Sequence, residues 1–224
     1  MRTPGASAEQ TRRRIRDAAV ELFARKGFAA TGIREIADRA GLTSGALYGH
    51  MGTKEELLVE IMRATIEPLT AHGEPIAASD RAPAERLVAL VEQHVRFHCA
   101  HPLDTLITDS ELRSLTGPRR VAVLQLRDRY ERVWRRVVAD GVAAGEFGVV
   151  DEPVTTAAVL DLCTGVAAWY GEGGRLSLDR MCRLYADLAL GVLRAQRGGV
   201  PLRRDDLDVA PAVALTPRTP DHGP

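Results

Sequence analysis

The chain has 224 residues, 45% hydrophobic and 27% charged, the composition of an ordinary globular protein built as one large domain or two small ones. No apolar run approaches the roughly 20 residues that cross a bilayer, and Met1 to Gln10 lacks the apolar core of a signal peptide, so a cytoplasmic, non-membrane protein is expected. The formal net charge of zero hides a division: residues 1–54 hold ten Lys and Arg against five Asp and Glu, and the remainder carries the compensating acidic excess, as expected of a basic head that meets a polyanion.

Glycine and proline cut the chain into helix-length pieces whose apolar residues recur every three to four positions, so the fold class is all-α. A flexible N-terminus is expected over residues 1–8. The first helix spans 8–26, with the stripe Ile15, Ala18, Ala19, Leu22 and Phe23 on one face and Gly27 as its C-terminal cap. A short helix over 33–40 turns Ile36, Ala37 and Ala40 inward and closes at Gly41. A second short helix covers 44–50, with Thr43 as N-cap. Thr53 and Glu56 have the spacing of a capping box and open a fourth helix through Leu57, Leu58, Ile61, Met62 and Ile66. Residues 72–83 are rich in Gly, Pro, Ala and Ser and predict a loop or broken helix. Further helices are expected over 84–100, 103–115, 119–145, 153–171 and 177–197, with a turn at Gly145 to Gly148. Residues 198–224 lack periodicity and predict a disordered tail. Three cysteines, Cys99, Cys163 and Cys182, sit in apolar segments and are expected to be reduced core residues.

The most specific signal is TGIREIADRAGLTSGALYGH over residues 31–50. Two short helices joined by a tight turn at Gly41-Leu42-Thr43 leave the leading end of the second helix exposed, which is how a recognition helix enters a major groove. Ala37 is small where the helices cross, and Leu42 and Leu47 anchor the second helix to the first. This stretch resembles the tetracycline-repressor (TetR) family of bacterial regulators. The features that carry the resemblance are Thr11 to Ile15, Leu22-Phe23, Gly27-Phe28, Thr31, Ile36-Ala37, Ala40-Gly41, Gly45, Leu47-Tyr48, His50 and Lys54-Glu55. It covers about residues 9–62 and departs from the commonest pattern at Gly32, Met51 and Thr53.

The resemblance implies a helix-turn-helix DNA-binding domain over 9–53 and a helical effector-binding and dimerisation domain over 54–197. It implies that Thr43, Ser44, Gly45, Ala46 and Gly49 face the groove floor. Small residues there allow close approach but offer few donors, so readout rests on Thr43, Ser44 and DNA shape. Tyr48, His50 and Lys54 look like phosphate contacts, with Thr31 beside them, and the N-terminus of the fourth helix offers free amides. Arg12, Arg13 and Arg14 are placed to reach the flanking backbone or the minor groove. The alternatives are a Tyr48 that is only core and an arginine run that is only solvated.

Such heads work in symmetric pairs, so a homodimer is expected. Its candidate interface is formed by the last two long helices, through Val154, Ala157, Ala158, Leu160, Leu162, Val166 and Ala167, and through Met181, Leu184, Tyr185, Leu188, Ala189 and Val192. A wholly intradomain core is the alternative. The body is also similar to TetR-like repressors of fatty-acid and steroid-ring breakdown, which sense acyl-coenzyme A thioesters. The matching stretches are DSELRSL over 109–115, RDRYERVW over 127–134, GEF over 145–147, Trp169-Tyr170 and GRLS over 174–177. This implies an effector pocket with Arg113, Arg127, Tyr130, Trp134 and Trp169 as candidates. Interhelical ion pairs and core packing are the ordinary roles for the same residues.

His94, His98, Cys99 and His101 lie close in sequence, but they do not share one helix face and no carboxylate is adjacent, so no metal is assigned. No cofactor is expected beyond an effector. Three functions compete: a ligand-responsive repressor, a DNA-binding regulator with no small-molecule effector, and an enzyme fused to a DNA-binding head. The last lacks any Gly-rich phosphate loop, Gly-x-Ser-x-Gly elbow or His-Glu-x-x-His pair.

Overall fold

A computed structural model describes residues 4–171 and 173–217. These form nine α-helices: α1 (Pro4–Lys26), α2 (Ile33–Arg39), α3 (Ser44–Tyr48), α4 (Lys54–Ala78), α5 (Pro83–Ala100), α6 (Pro102–Ser110), α7 (Gly117–Ala143), α8 (Glu152–Thr164) and α9 (Leu178–Val192). Short 3-10 turns follow α6 at Glu111–Ser114 and α8 at Gly165–Ala168. The all-α expectation holds, with one small addition at the C-terminal end.

The chain divides into two compact units. One gathers the residues up to 65 with 103–126; the other gathers 66–102 with 127–216. The first unit is therefore larger than the head expected over 9–53, because α6 and the start of α7 belong to it. Its core is the predicted stripe of α1, with Ile15, Ala19 and Phe23 almost fully buried, closed by Ile36 and Ala37 of α2, Leu47 of α3, and Leu58, Ile61 and Met62 of α4. Phe23 and Phe28 meet edge-on at 5.3 Å. Gly27 and Gly41 both have positive φ, +83° and +67°, which lets the chain reverse directly after α1 and α2. A Cβ on Gly41 would stand 2.6 Å from the Arg14 guanidinium, so this glycine also makes room for an arginine.

In the second unit, α5 packs chiefly against α9. Buried side chains surround it: Leu87, Val91, Val95 and Phe97 of α5, Trp134 and Val137 of α7, Val159 and Cys163 of α8, and Met181, Tyr185 and Ala189 of α9. Asp151 caps α8 by accepting from Val154 N at 2.9 Å, and Ser177 caps α9 by accepting from Arg180 N. The turn at 145–148 has a specific construction. Glu146 accepts from Ala84 N at the start of α5, 3.0 Å away, and pairs with Arg197 at 2.9 Å. Phe147 packs over Gly141, where any Cβ would collide with the ring.

Four expectations are corrected. Residues 4–8 are helical and extend the first helix beyond its expected start, since Pro4 suits a first helical turn; residues 1–3 lie outside the described residues. Residues 72–78 continue α4 through Pro68 and Pro75. Gly73 explains this. A Cβ there would come within 3.1 Å of Val133 and 3.3 Å of Leu90, so the glycine admits close helix packing that outweighs its poor propensity. The last helix ends at Val192, well before 197, because Arg194 takes a positive φ of 49°. The segment after it is ordered: Gln196–Arg197 and Val200–Pro201 pair as β1 and β2, a 3-10 turn follows at Arg204–Asp206, and Arg204, Leu207 and Val209 are buried. Polar anchors, invisible to a search for apolar periodicity, hold this tail. Residues 218–224 of the expected tail lie outside the described residues.

Candidate nucleic-acid interface

The α2–α3 pair has the geometry expected of a recognition element. Thr43 Oγ1 accepts from Ala46 N at 3.2 Å and starts α3. The turn before it is closed by Gly41 N donating to Asp38 O at 3.0 Å and Leu42 N donating to Ala37 O at 2.9 Å. Leu47 is fully buried and is the anchor of the short rod. Thr43, Gly45, Ala46, Tyr48 and Gly49 are exposed, and Ser44 and His50 half-buried. Tyr48, at 61% exposure, is not a core residue. A Cβ on Gly45 would meet nothing within 4 Å, so its smallness serves no internal packing.

Three expected contacts bond the chain's own carbonyls, with Thr31 buried, Lys54 half-buried and Arg14 exposed. Thr31 is 2% exposed and its hydroxyl donates to Gly27 O at 2.8 Å, closing the turn after α1. Lys54 Nζ donates to Phe28 O and Thr31 O, both at 2.8 Å, and lies 4.3 Å over the Phe28 ring. Its ammonium is partly desolvated, which lowers its pKa against the opposing pull of Glu111. Both groups are committed to the loop between α1 and α2, where backbone carbonyls take the place of a phosphate. Arg14 donates to Ala40 O at the end of α2, and more distantly to Gly41 O at 3.4 Å. Arg13 is exposed and Arg12 half-buried.

The fourth-helix cap forms as predicted: Glu56 N donates to Thr53 Oγ1 at 3.1 Å, and Thr53 N to Glu56 Oε2 at 2.8 Å. The Thr53 amide and then Arg119, 2.7 Å away, hold the Glu56 carboxyl below its usual pKa. Sequence reasoning missed what braces this unit from α6 and α7. Arg16 pairs with Asp104. Glu111 Oε1 accepts from Phe28 N at 3.0 Å, and Arg119 also reaches Glu55 at 3.3 Å. These partners lie 63 to 88 residues apart in the chain, and no local pattern links them.

Of the five effector candidates, one belongs to the first unit and four to the second. Arg113 is exposed in the first unit and donates to Ser110 O. In the second unit, Tyr130 and Trp134 are inside a polar nest. His94 Nδ1 lies 2.9 Å from Tyr130 Oη and its Nε2 3.1 Å from Thr164 Oγ1. The His94 ring stacks on His98 at 3.8 Å and meets Trp134 edge-on at 5.5 Å. Trp134 is 1% exposed, and its Nε1 meets no acceptor in hydrogen-bonding geometry. Burial pushes the Tyr130 hydroxyl up, drives His94 well below the ordinary histidine value and brings His98 down to about 4. Arg127 is half-buried. Trp169 is exposed, stacks on Tyr185 at 6.4 Å and borders a cleft of about 140 Å³ formed with Tyr170, Arg175, Leu176 and Met181. That volume is below the roughly 300 Å³ of a small-molecule site.

His101 Nε2 lies 2.9 Å from Leu215 O, and no trio of His, Cys, Asp or Glu placed for a metal occurs among the described residues. The three cysteines are buried and unbridged, and burial raises Cys99 and Cys163 to about 12 and Cys182 to about 11. Among the described residues no helix is long and apolar enough to cross a membrane.

Comparison with known proteins places both units. Residues 15–61 match the family model for bacterial regulatory proteins of the tetR family, and residues 80–193 match the tetracyclin repressor-like C-terminal domain. The chain is 30% identical over 190 residues to the HTH-type transcriptional repressor KstR2 of Rhodococcus jostii (strain RHA1), covering 84% of this chain and 92% of that one. The solved structure of the ketosteroid transcriptional regulator KstR2 of Mycobacterium tuberculosis superimposes with a TM-score of 0.76 at 28% identity, over 83% of this chain and 95% of that one. A structure of AibR in complex with isovaleryl coenzyme A and operator DNA shares the fold, with a TM-score of 0.69 at 22% identity, over 80% and 97% of the two chains.

Proposed function

Because the chain belongs to the tetracycline-repressor family of bacterial regulatory proteins, we propose that it is a cytoplasmic, homodimeric repressor of a palindromic operator, released by an acyl-coenzyme A thioester. The observation that carries the reading is α3 itself: a rod anchored by buried Leu47 whose leading end exposes Thr43, Gly45 and Ala46. Those small residues let the helix backbone approach base edges, with Thr43 and Ser44 as donors. Tyr48, His50, Arg12 and Arg13 serve the phosphates. Arg14 is exposed and joins them through the N–H groups not given to Ala40 O, and Lys54 and Thr31 act by holding the loop that supports the rod.

The dimer reading draws on the exposed side chains Val154 and Leu162 on α8 and Leu188 and Val192 on α9, the two helices that the sequence offers as the interface. The effector class rests on the resemblance of the body and on the isovaleryl coenzyme A in the AibR complex. Helix α4 contributes residues to both compact units, which makes it the element an effector would shift. The ligand must favour one of the two positions, by about 1–3 kcal/mol in typical cases. No catalytic step and no cofactor enter this reading. A regulator without an effector is the second reading, favoured by the close packing of Tyr130 and Trp134 in the core.

Selection from random duplex DNA at low salt tests the proposal. The expected product is a palindrome with half-sites about one helical turn apart, or a multiple of it. Gel shifts on that palindrome with acyl-coenzyme A thioesters of graded chain length, against free coenzyme A, then test release. A palindrome bound equally with and without every thioester removes the effector class. Failure to enrich any duplex removes the repressor itself.

A further inference from the structure

Helix α5 is buried on all sides from Leu90 to Val95, although this stretch includes Glu92, Gln93 and His94. The ordered tail supplies the partners for two of them. Arg204 Nε donates to Glu92 Oε1 at 2.6 Å, in a pair where each side chain is less than a tenth exposed. Gln93 Nε2 donates to Val213 O and His101 lies against Leu215 O, each at 2.9 Å. Arg204 also organises the tail, donating to Leu207 O at 3.3 Å and Val209 O at 2.9 Å. On the α9 side, Arg204 N donates to Asp187 Oδ1 at 2.8 Å and Arg183 pairs with Asp205 at 2.6 Å. This segment lies beyond the stretch that matches the family model, which ends at residue 193.

The chemistry of this cover differs from that of the core. Past residue 196 the buried side chains are Arg204, Leu207 and Val209. Beneath them lie a carboxylate, an amide and an imidazole, all of which water would solvate. Buried charge and amide groups need partners, and for Glu92 and Gln93 the tail supplies them. We propose that residues 196–217 form a releasable strap over α5, latched by the Arg204–Glu92 pair, and that the strap sets the local rigidity of the helix segment carrying His94 and His98. Opening exposes two large apolar side chains of the strap, Leu207 and Val209, and leaves the α5–α9 contact itself in place, so it proceeds as local unfolding while the rest of the body stays folded. The inference stands independently of the repressor reading.

Hydrogen exchange on the full chain tests the latch. In Arg204→Met, amides of residues 200–215 are expected to exchange at least tenfold faster and those of residues 92–101 severalfold faster, with α8 and the first turns of α9 unchanged. In the double variant Glu92→Met with Arg204→Met, no unpaired charge remains but Leu207 O and Val209 O still lack their donor, so exchange should be several-fold slower than in the single variant without reaching the parent. Three outcomes overturn the proposal: unchanged tail exchange in Arg204→Met, equal acceleration throughout α8 and α9, or a double variant as loose as the single one.

Discussion

Helices α3 and α5 treat polar side chains in opposite ways. In α3 the one buried side chain is Leu47, and the polar groups point outward around it. In α5 the run from Leu90 to Val95 is buried all round, and Glu92, Gln93 and His94 must find partners on α7, α8 or the tail. An exposed recognition surface needs only a rigid support beneath it. A polar interior needs every partner in place, because an unmatched buried group costs about 1–3 kcal/mol. The head should therefore fail through lost packing, and the body through a change of charge.

The largest expected effect is on packing in the head. Leu47→Ala should destabilise the α2–α3 pair by about 2–5 kcal/mol, the cost of a large-to-small change at a fully buried site. DNA binding should be lost, and amide exchange over residues 33–49 should rise while α9 stays protected. Retained protection of residues 33–49 would mean that the rod is anchored elsewhere.

Charge in the body gives the next effect. Burial lowers the pKa of both His94 and His98 below the ordinary 6.5, so the folded state binds fewer protons than the unfolded one. The stabilisation is complete above about pH 6.5 and is lost as pH falls through about 4, the folded value of His98. His98 alone accounts for about 3 kcal/mol of that loss. Urea unfolding between pH 7 and 4 should show the decline, and His98→Leu should flatten it. A parent protein equally stable at pH 7 and pH 4.5 would contradict the dry stacking of the two rings.

The smallest effects separate the two arginines that precede Arg14 from the lysine. Lys54→Ala should cost about 2 kcal/mol of stability, since two charge-assisted hydrogen bonds to Phe28 O and Thr31 O disappear, and should leave the salt dependence of DNA binding unchanged. Arg13→Ala should do the reverse, with stability unchanged and the salt slope shallower by about 0.9 for the one phosphate lost. If Lys54→Ala flattens the slope instead, the ammonium leaves its carbonyls in the complex.

Local signals account for what was legible in the head. The stripe of α1, the capping box at Thr53, the cap at Thr43 and the glycine stops at Gly27 and Gly41 each involve residues within one or two helical turns. Short-range sterics and hydrogen bonds decide them wherever the segment lies. The same logic does not show the carbonyl partners of Lys54 and Thr31, which are backbone groups rather than residue types. In the body, helix positions were legible but the role of each side chain was not. Tyr130 and Trp134 read equally well as pocket or core until His94 stood beside them.

Taken alone, the order of residues determined the all-α class, the family resemblance and the exposed end of α3, because helix periodicity, caps and tight turns are properties of neighbours in the chain. Tertiary structure alone decided that α4 runs on through Pro68 and Pro75, that α6 and the 3-10 turn after it brace the head through Asp104 and Glu111, and that the last segment folds over α5. Each of these depends on groups brought together from distant parts of the chain. Only when they pack does the gain in contact and charge pairing exceed the cost in local propensity and chain entropy.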